Sequence, residues 1–204
     1  MGQYSQKLHA EIPNIKAYLP RHARDSFFIQ EVLRFHSVAG TMEQSFQNIA
    51  MSIDERIMSH IWLRSLIENY FKLLYIYQDP AKAQARFDEC VRGFQLEYSK
   101  LYNDPWLPHK NQLEPADPSW KGLKKPMDLN SMITAAMTAQ GQRLSYLYFV
   151  YRISSFDTHG NSLEALFSAS FNKTSCNFPV LKLEPVTELI ANEYLVIWNG
   201  GNLP

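Results

Sequence analysis

What this chain lacks narrows its function first. It has only two cysteines, Cys90 and Cys176, far apart in the sequence, so neither a disulfide framework nor a zinc cluster is expected, and two free thiols fit a reducing cytosol. Neither sign of charge is in excess: 20 Lys and Arg balance 20 Asp and Glu. No global field therefore draws in nucleic acid, and any RNA contact has to be local. The longest apolar-rich stretches, around 66–77 and 144–156, fall short of the ~20 apolar residues that cross a bilayer, so no membrane association is expected. The opening "MGQYSQKLHAEIPNIKAYLPRHARD" is broken by charges and prolines where an export signal needs an unbroken apolar run, which favours a cytoplasmic location. There is no phosphate-cradling glycine loop, serine-nucleophile elbow or zinc signature, and His36, His60 and His109 lack metal-ligand spacing. No metal or cofactor is expected.

What is present is apolar mass with helical rhythm. Hydrophobic residues make up 46% of 204 positions, enough for a real core. Phe28, Val32, Phe35, Val38 and Ala39 recur at three- and four-residue steps, which predicts an amphipathic helix over 26–50. Ser52 and Glu55 form a capping box that opens a second helix reaching about 78. Asp79 and Pro80 then suit the N-cap and first position of a third, 80–102, antiparallel to the second. Five prolines between 103 and 127 predict a long loop. Helical character resumes over 128–156, with Gly141 as a possible break, and again over 184–197. The expectation is an all-α, single-domain antiparallel bundle: an N-terminal segment 1–25, a first helical pair or triplet 26–102, a Pro-rich loop 103–127, and C-terminal helices 128–204 of the same domain.

Two polar stripes interrupt the apolar helices. Arg56, His60, Arg64, Glu68 and Lys72 recur every four residues on the second helix. On the later one, Tyr148, Arg152, Ser155 and His159 share a face, since seven residues return an α-helix to nearly the same direction, about 10.5 Å further along. Leu147, Phe149, Val150, Tyr151, Ile153 and Phe156 fill the other directions, the mark of a buried helix. A buried arginine needs a carboxylate, and Glu68 is the best-placed one. A central Arg152–Glu68 bridge is therefore expected.

An arginine followed after four to six residues by a histidine near a helix end resembles the signature of the HEPN superfamily, and Arg152 and His159 match its longest spacing. More closely, "RSLIENYFKLLYIYQDP" with the downstream "YRISSFDTHG" resembles a bacterial all-helical family that has Arg and Glu on one helix and Tyr, Arg, Ser and His on a later one. The resemblance spans roughly residues 26–170. It implies a HEPN-like metal-independent endoribonuclease, acting as a toxin or phage-defence effector, with an antitoxin partner where it is a toxin. In that reading His159 is the acid–base group, Arg152 the phosphate clamp, and Glu68 and Ser155 complete the catalytic set.

The chemistry suits these residue types. Histidine both takes and gives a proton near neutral pH, and a guanidinium offers forked donors to phosphate oxygens. Arg64, Tyr148 and Tyr151 are the candidate substrate-binding groups for RNA or a nucleotide. One chain holds one such histidine, so a homodimer would supply separate acid and base. The alternative is a non-catalytic binding or interaction module in which Glu68, Arg152 and His159 form a structural polar network. "WKGLKKP", Trp120 to Pro126, is a lesser candidate for a nucleic-acid backbone, though such basic runs usually form a solvated surface.

Overall fold

A computed structural model describes residues 2–46, 53–134, 136–158, 163–172 and 182–200. Among these, regular structure is helical: α1 Gln3–Ala17, α2 Ala23–Phe46, α3 Ile53–Tyr77, α4 Ala83–Tyr102, α5 Leu129–Thr134, α6 Ser145–Thr158, α7 Leu163–Phe171 and α8 Leu183–Asn199. The all-α expectation holds. A single bridge, Met137 to Arg143, is the only strand-like pairing among the described residues, and no described helix is long and apolar enough to cross a membrane.

α3 is the axis of the bundle. In its second half Leu66, Ile67, Tyr70, Phe71, Leu73, Leu74, Ile76 and Tyr77 are all buried, while Glu68, Asn69 and Lys72 stay partly open, and α2, α4, α5, α6 and α8 pack around it. The all-round burial expected over 144–156 is not found; α3 is the more deeply buried helix of the two. On α6, Leu147, Val150 and Ile153 face the core, while Tyr146 and Phe149, each 58% exposed, and Phe156, 47% exposed, face outward.

Two helices were not anticipated. α1 lies within the N-terminal segment 1–25, where Leu8, Ile12 and Ile15 form a buried stripe at helical spacing against α8. Pro13 interrupts that pattern because it cannot donate to the carbonyl of His9, yet it stays exposed while the stripe packs. Glu188 of α8 supplies the cap that the start of α1 lacks, accepting from the amides of Tyr4 at 2.8 Å and Ser5 at 2.9 Å, and from the Ser5 hydroxyl. Burial opposes ionisation of Glu188, but these three donors outweigh it and hold its carboxyl below the usual range. α7 is the other, a short apolar helix. The 128–156 region is two helices, α5 and α6, parted by a turn in which Gly141 takes φ +75°.

Asp79 and Pro80 do start a helical turn, a short 3-10 segment at 80–82 that leads into α4, with Lys82 paired to Asp79 at 2.9 Å. The Ser52 end of the capping box lies outside the described residues. The Pro-rich loop is strapped to α4. Trp120 meets Tyr98 edge-on at 6.2 Å, the Tyr98 hydroxyl donates to the Glu114 carbonyl at 2.6 Å, and Lys110 lies 4.4 Å from the centre of the Tyr102 ring. At Gly93 a Cβ would come 2.7 Å from Pro126, so the absent side chain is what lets the loop close on the helix.

Candidate functional site

The groups singled out on α3 and α6 meet, but around a different arginine. Arg64, half-buried on α3, reaches across to α6. Its Nη1 donates to Ser155 Oγ and its Nη2 to Tyr151 Oη at 3.2 Å, and its guanidinium carbon lies 4.6 Å from the Tyr151 ring centroid. Tyr148 stacks on Tyr151, 17° from parallel at 6.2 Å, and Phe71 closes the other side edge-on at 6.5 Å. Ser155 also donates to the Tyr151 carbonyl at 2.8 Å. Burial, then the negative charge of nearby Glu68, push the Tyr151 phenol up, against the opposing pull of Arg64. The phenol therefore stays protonated, able to accept from Arg64 and to donate elsewhere.

The expected buried Arg152–Glu68 bridge is not formed. Arg152 is exposed, and Glu68, itself partly open, pairs with Lys72 one turn on at 3.2 Å. The reason is the rotation of α6. Leu147, Val150 and Ile153 turn toward the core, which carries Arg152 to the outer face between Phe149 and Phe156. Tyr151 and Ser155 then fall on the flank facing α3, and Arg64 is the arginine opposite them. No carboxylate among the described residues pairs with Arg152. His159 lies outside the described residues, directly after Thr158, the last residue of α6. His60 is buried in α3.

A second feature was missed entirely in the sequence. Between α1, α2 and the start of α8 lies a cavity of about 460 Å³, with Leu8, Phe35 and Met42 on its floor and His9, His36, Glu43 and Glu184 among its polar groups. None of the candidate site residues on α3 and α6 lines it. The signal that could have found it was the Leu8, Ile12, Ile15 spacing, which makes α1 a helix and brings His9 to His36. Among the described residues no cluster of three or more His, Cys, Asp or Glu could hold a metal ion. Compared with protein-family models, curated proteins and solved structures, the chain shows no match.

Proposed function

We propose that the chain is a metal-independent endoribonuclease that works as a homodimer at the outer face of α6. The observation that carries this reading is Arg152, solvent-exposed and flanked one turn on either side by the exposed rings of Phe149 and Phe156. An arginine held in a core network has no donors to spare. One that faces water between aromatic rings can bind phosphate oxygens while bases stack beside it. His159 would deprotonate a 2′-hydroxyl, whose oxygen attacks the adjacent phosphorus. The bond to the 5′-oxygen breaks, that oxygen takes a proton from the histidine of the second copy, and a 2′,3′-cyclic phosphate remains. Arg152 would neutralise the charge that builds on the phosphate. Arg64, Tyr151 and Ser155 hold α6 in register on α3, and so position the outer face.

The opposing reading, a non-catalytic interaction module, draws support from the same cluster, because Arg64 is engaged by Ser155 and Tyr151 as a structural group would be. Incubating purified protein with single-stranded RNA in chelator separates the two. Cleavage leaving cyclic phosphate, abolished in His159→Ala and strongly reduced in Arg152→Ala, is the expected result. Intact RNA across a broad substrate panel, or a His159→Ala protein that cuts as fast as the parent, would leave the interaction module in its place. Because Arg152 is exposed, its loss of activity cannot be blamed on a collapsed core.

A further inference from the structure

The basic stretch from Trp120 to Pro126 has no part in the α6 chemistry, yet it is laid along α4 in the direction opposite to the helix. Trp120 meets Tyr98 edge-on at 6.2 Å, Lys121 lines a shallow depression of about 220 Å³ with Ser99, Lys100 and Asn103, and the Met127 amide donates to Glu89 at 2.8 Å. The segment thus runs from the C-terminal end of α4 back toward its middle. Lys121, Lys124 and Lys125 are exposed along this path, as is Arg92 on the helix. Over residues 92–125 six Lys and Arg stand against four Asp and Glu, a local excess of cations in a chain whose overall charge is balanced. Three of those four acids have donors of their own. Glu97 pairs with Lys100 at 2.6 Å, Asp104 accepts from the Trp106 amide at 2.8 Å, and Asp117 accepts from the amide and hydroxyl of Ser119 at 2.8 and 2.7 Å.

An aromatic row adjoins the basic one. Phe94, Tyr98 and Tyr102 stand four residues apart, which brings them together on one flank of α4. Their rings stack at 5.8 Å, 26° from parallel, and at 6.2 Å, 19° from parallel. Lys110 covers the Tyr102 end, 4.4 Å from the ring centre. The other end is open, since Phe94 is 66% exposed and buries little against the fold. A free ring face beside a row of ammonium groups supplies both elements that hold an unpaired strand, because bases stack on the ring while phosphates meet the cations.

We propose that this face of α4 and the Pro-rich loop binds single-stranded nucleic acid, with a base on Phe94 and the backbone along Lys121, Lys124 and Lys125. The site is separate from the α6 face and does not depend on cleavage there. Its probe is a fluorescein-labelled oligothymidylate of about 12 nucleotides, within the usual site size for an unpaired strand. This DNA has no 2′-hydroxyl, so the α6 chemistry cannot cut it. Titrations followed by anisotropy use the full-length Arg152→Ala protein, in which the α6 face has lost its phosphate-binding group. Saturable binding is expected at low salt. An abasic strand of equal length, with the same phosphates and no bases, should bind at least about fivefold more weakly, the effect of one lost stacking contact. Adding Phe94→Ala should weaken the oligothymidylate by a similar factor and leave the abasic strand unchanged. Replacing Lys121, Lys124 and Lys125 together by Ala should flatten the slope of log affinity against log salt by about 2, or ~0.7 for each phosphate contact removed. All four side chains are exposed, so these variants keep the parent fold. No binding, equal binding of the abasic strand, an affinity unchanged in either variant, or tighter binding of a neutral oligosaccharide such as maltohexaose would each overturn the proposal.

Discussion

The exchange of roles between two arginines gives the sharpest test of the structure. Arg64→Ala removes a charge-assisted hydrogen bond to the Tyr151 phenol, the contact with Ser155 and a guanidinium lying 4.6 Å from a ring centre. A hydrogen bond to a charged group contributes about 1.5–3 kcal/mol when buried, and a cation over a partly exposed ring about 0.5–1 kcal/mol. Arg64 is half-buried, so solvent screening trims the sum to about 2–3 kcal/mol. Arg152→Ala removes an exposed side chain without an ionic partner among the described residues and should stay within about 0.5 kcal/mol of the parent. For a chain of this length each kcal/mol moves the thermal midpoint by about 2–4 °C. Urea unfolding of the two variants, with Tyr151→Phe and the Arg64→Ala, Tyr151→Phe double variant, completes a cycle whose coupling should be about 1 kcal/mol or more. If Arg152→Ala proves the costlier change, or if the cycle shows no coupling, the rotation assigned to α6 is wrong.

Glu68→Ala should cost only about 0.3–0.5 kcal/mol in the same assay, because its partner Lys72 lies one turn away on a partly open face. A loss of several kcal/mol would restore the buried bridge. Tyr70→Phe should stabilise the fold by about 1–3 kcal/mol, since the buried Tyr70 hydroxyl has no hydrogen-bond partner among the described residues; a drop in urea midpoint would reveal a partner. Glu193, 3% exposed, is held above the usual carboxylate range by burial, against the pull of the Ala139 amide that donates to it. Its folded form therefore keeps a proton that the unfolded chain gives up. Stability from this group is greatest below the unfolded value and falls as pH rises through the folded one. Glu193→Gln should accordingly gain stability over the parent as pH rises from acid to neutral, while a constant difference across that range would refute the assignment.

Helix existence was legible in the sequence wherever apolar spacing and capping residues agreed. Phe28, Val32 and Phe35 are buried on α2 as their spacing requires, and Pro80 opens a turn where its missing amide hydrogen costs nothing. Local chemistry also marked the Pro-rich loop and the break at Gly141. α1 was hidden because Pro13 and the surrounding charges obscured a three-residue stripe whose meaning depends on α8, some 170 residues away.

Which direction each helix faces was decided only by tertiary packing. Tyr148, Arg152, Ser155 and the flanking aromatics surround α6 so evenly that periodicity alone left its rotation open. Docking on α3 fixed it, burying Leu147, Val150 and Ile153 and sending Arg152 into solvent. The sequence by itself determined that Tyr148, Arg152 and Ser155 share a polar stripe on one helix and Arg64 and Glu68 a polar stripe on another. Only the packed structure decided that Arg64 is the arginine between the helices and Arg152 the one left to the surface. The reason is that burying a charge is costly, whereas turning a helix to keep that charge in water costs only the exposure of Tyr146, Phe149 and part of Phe156.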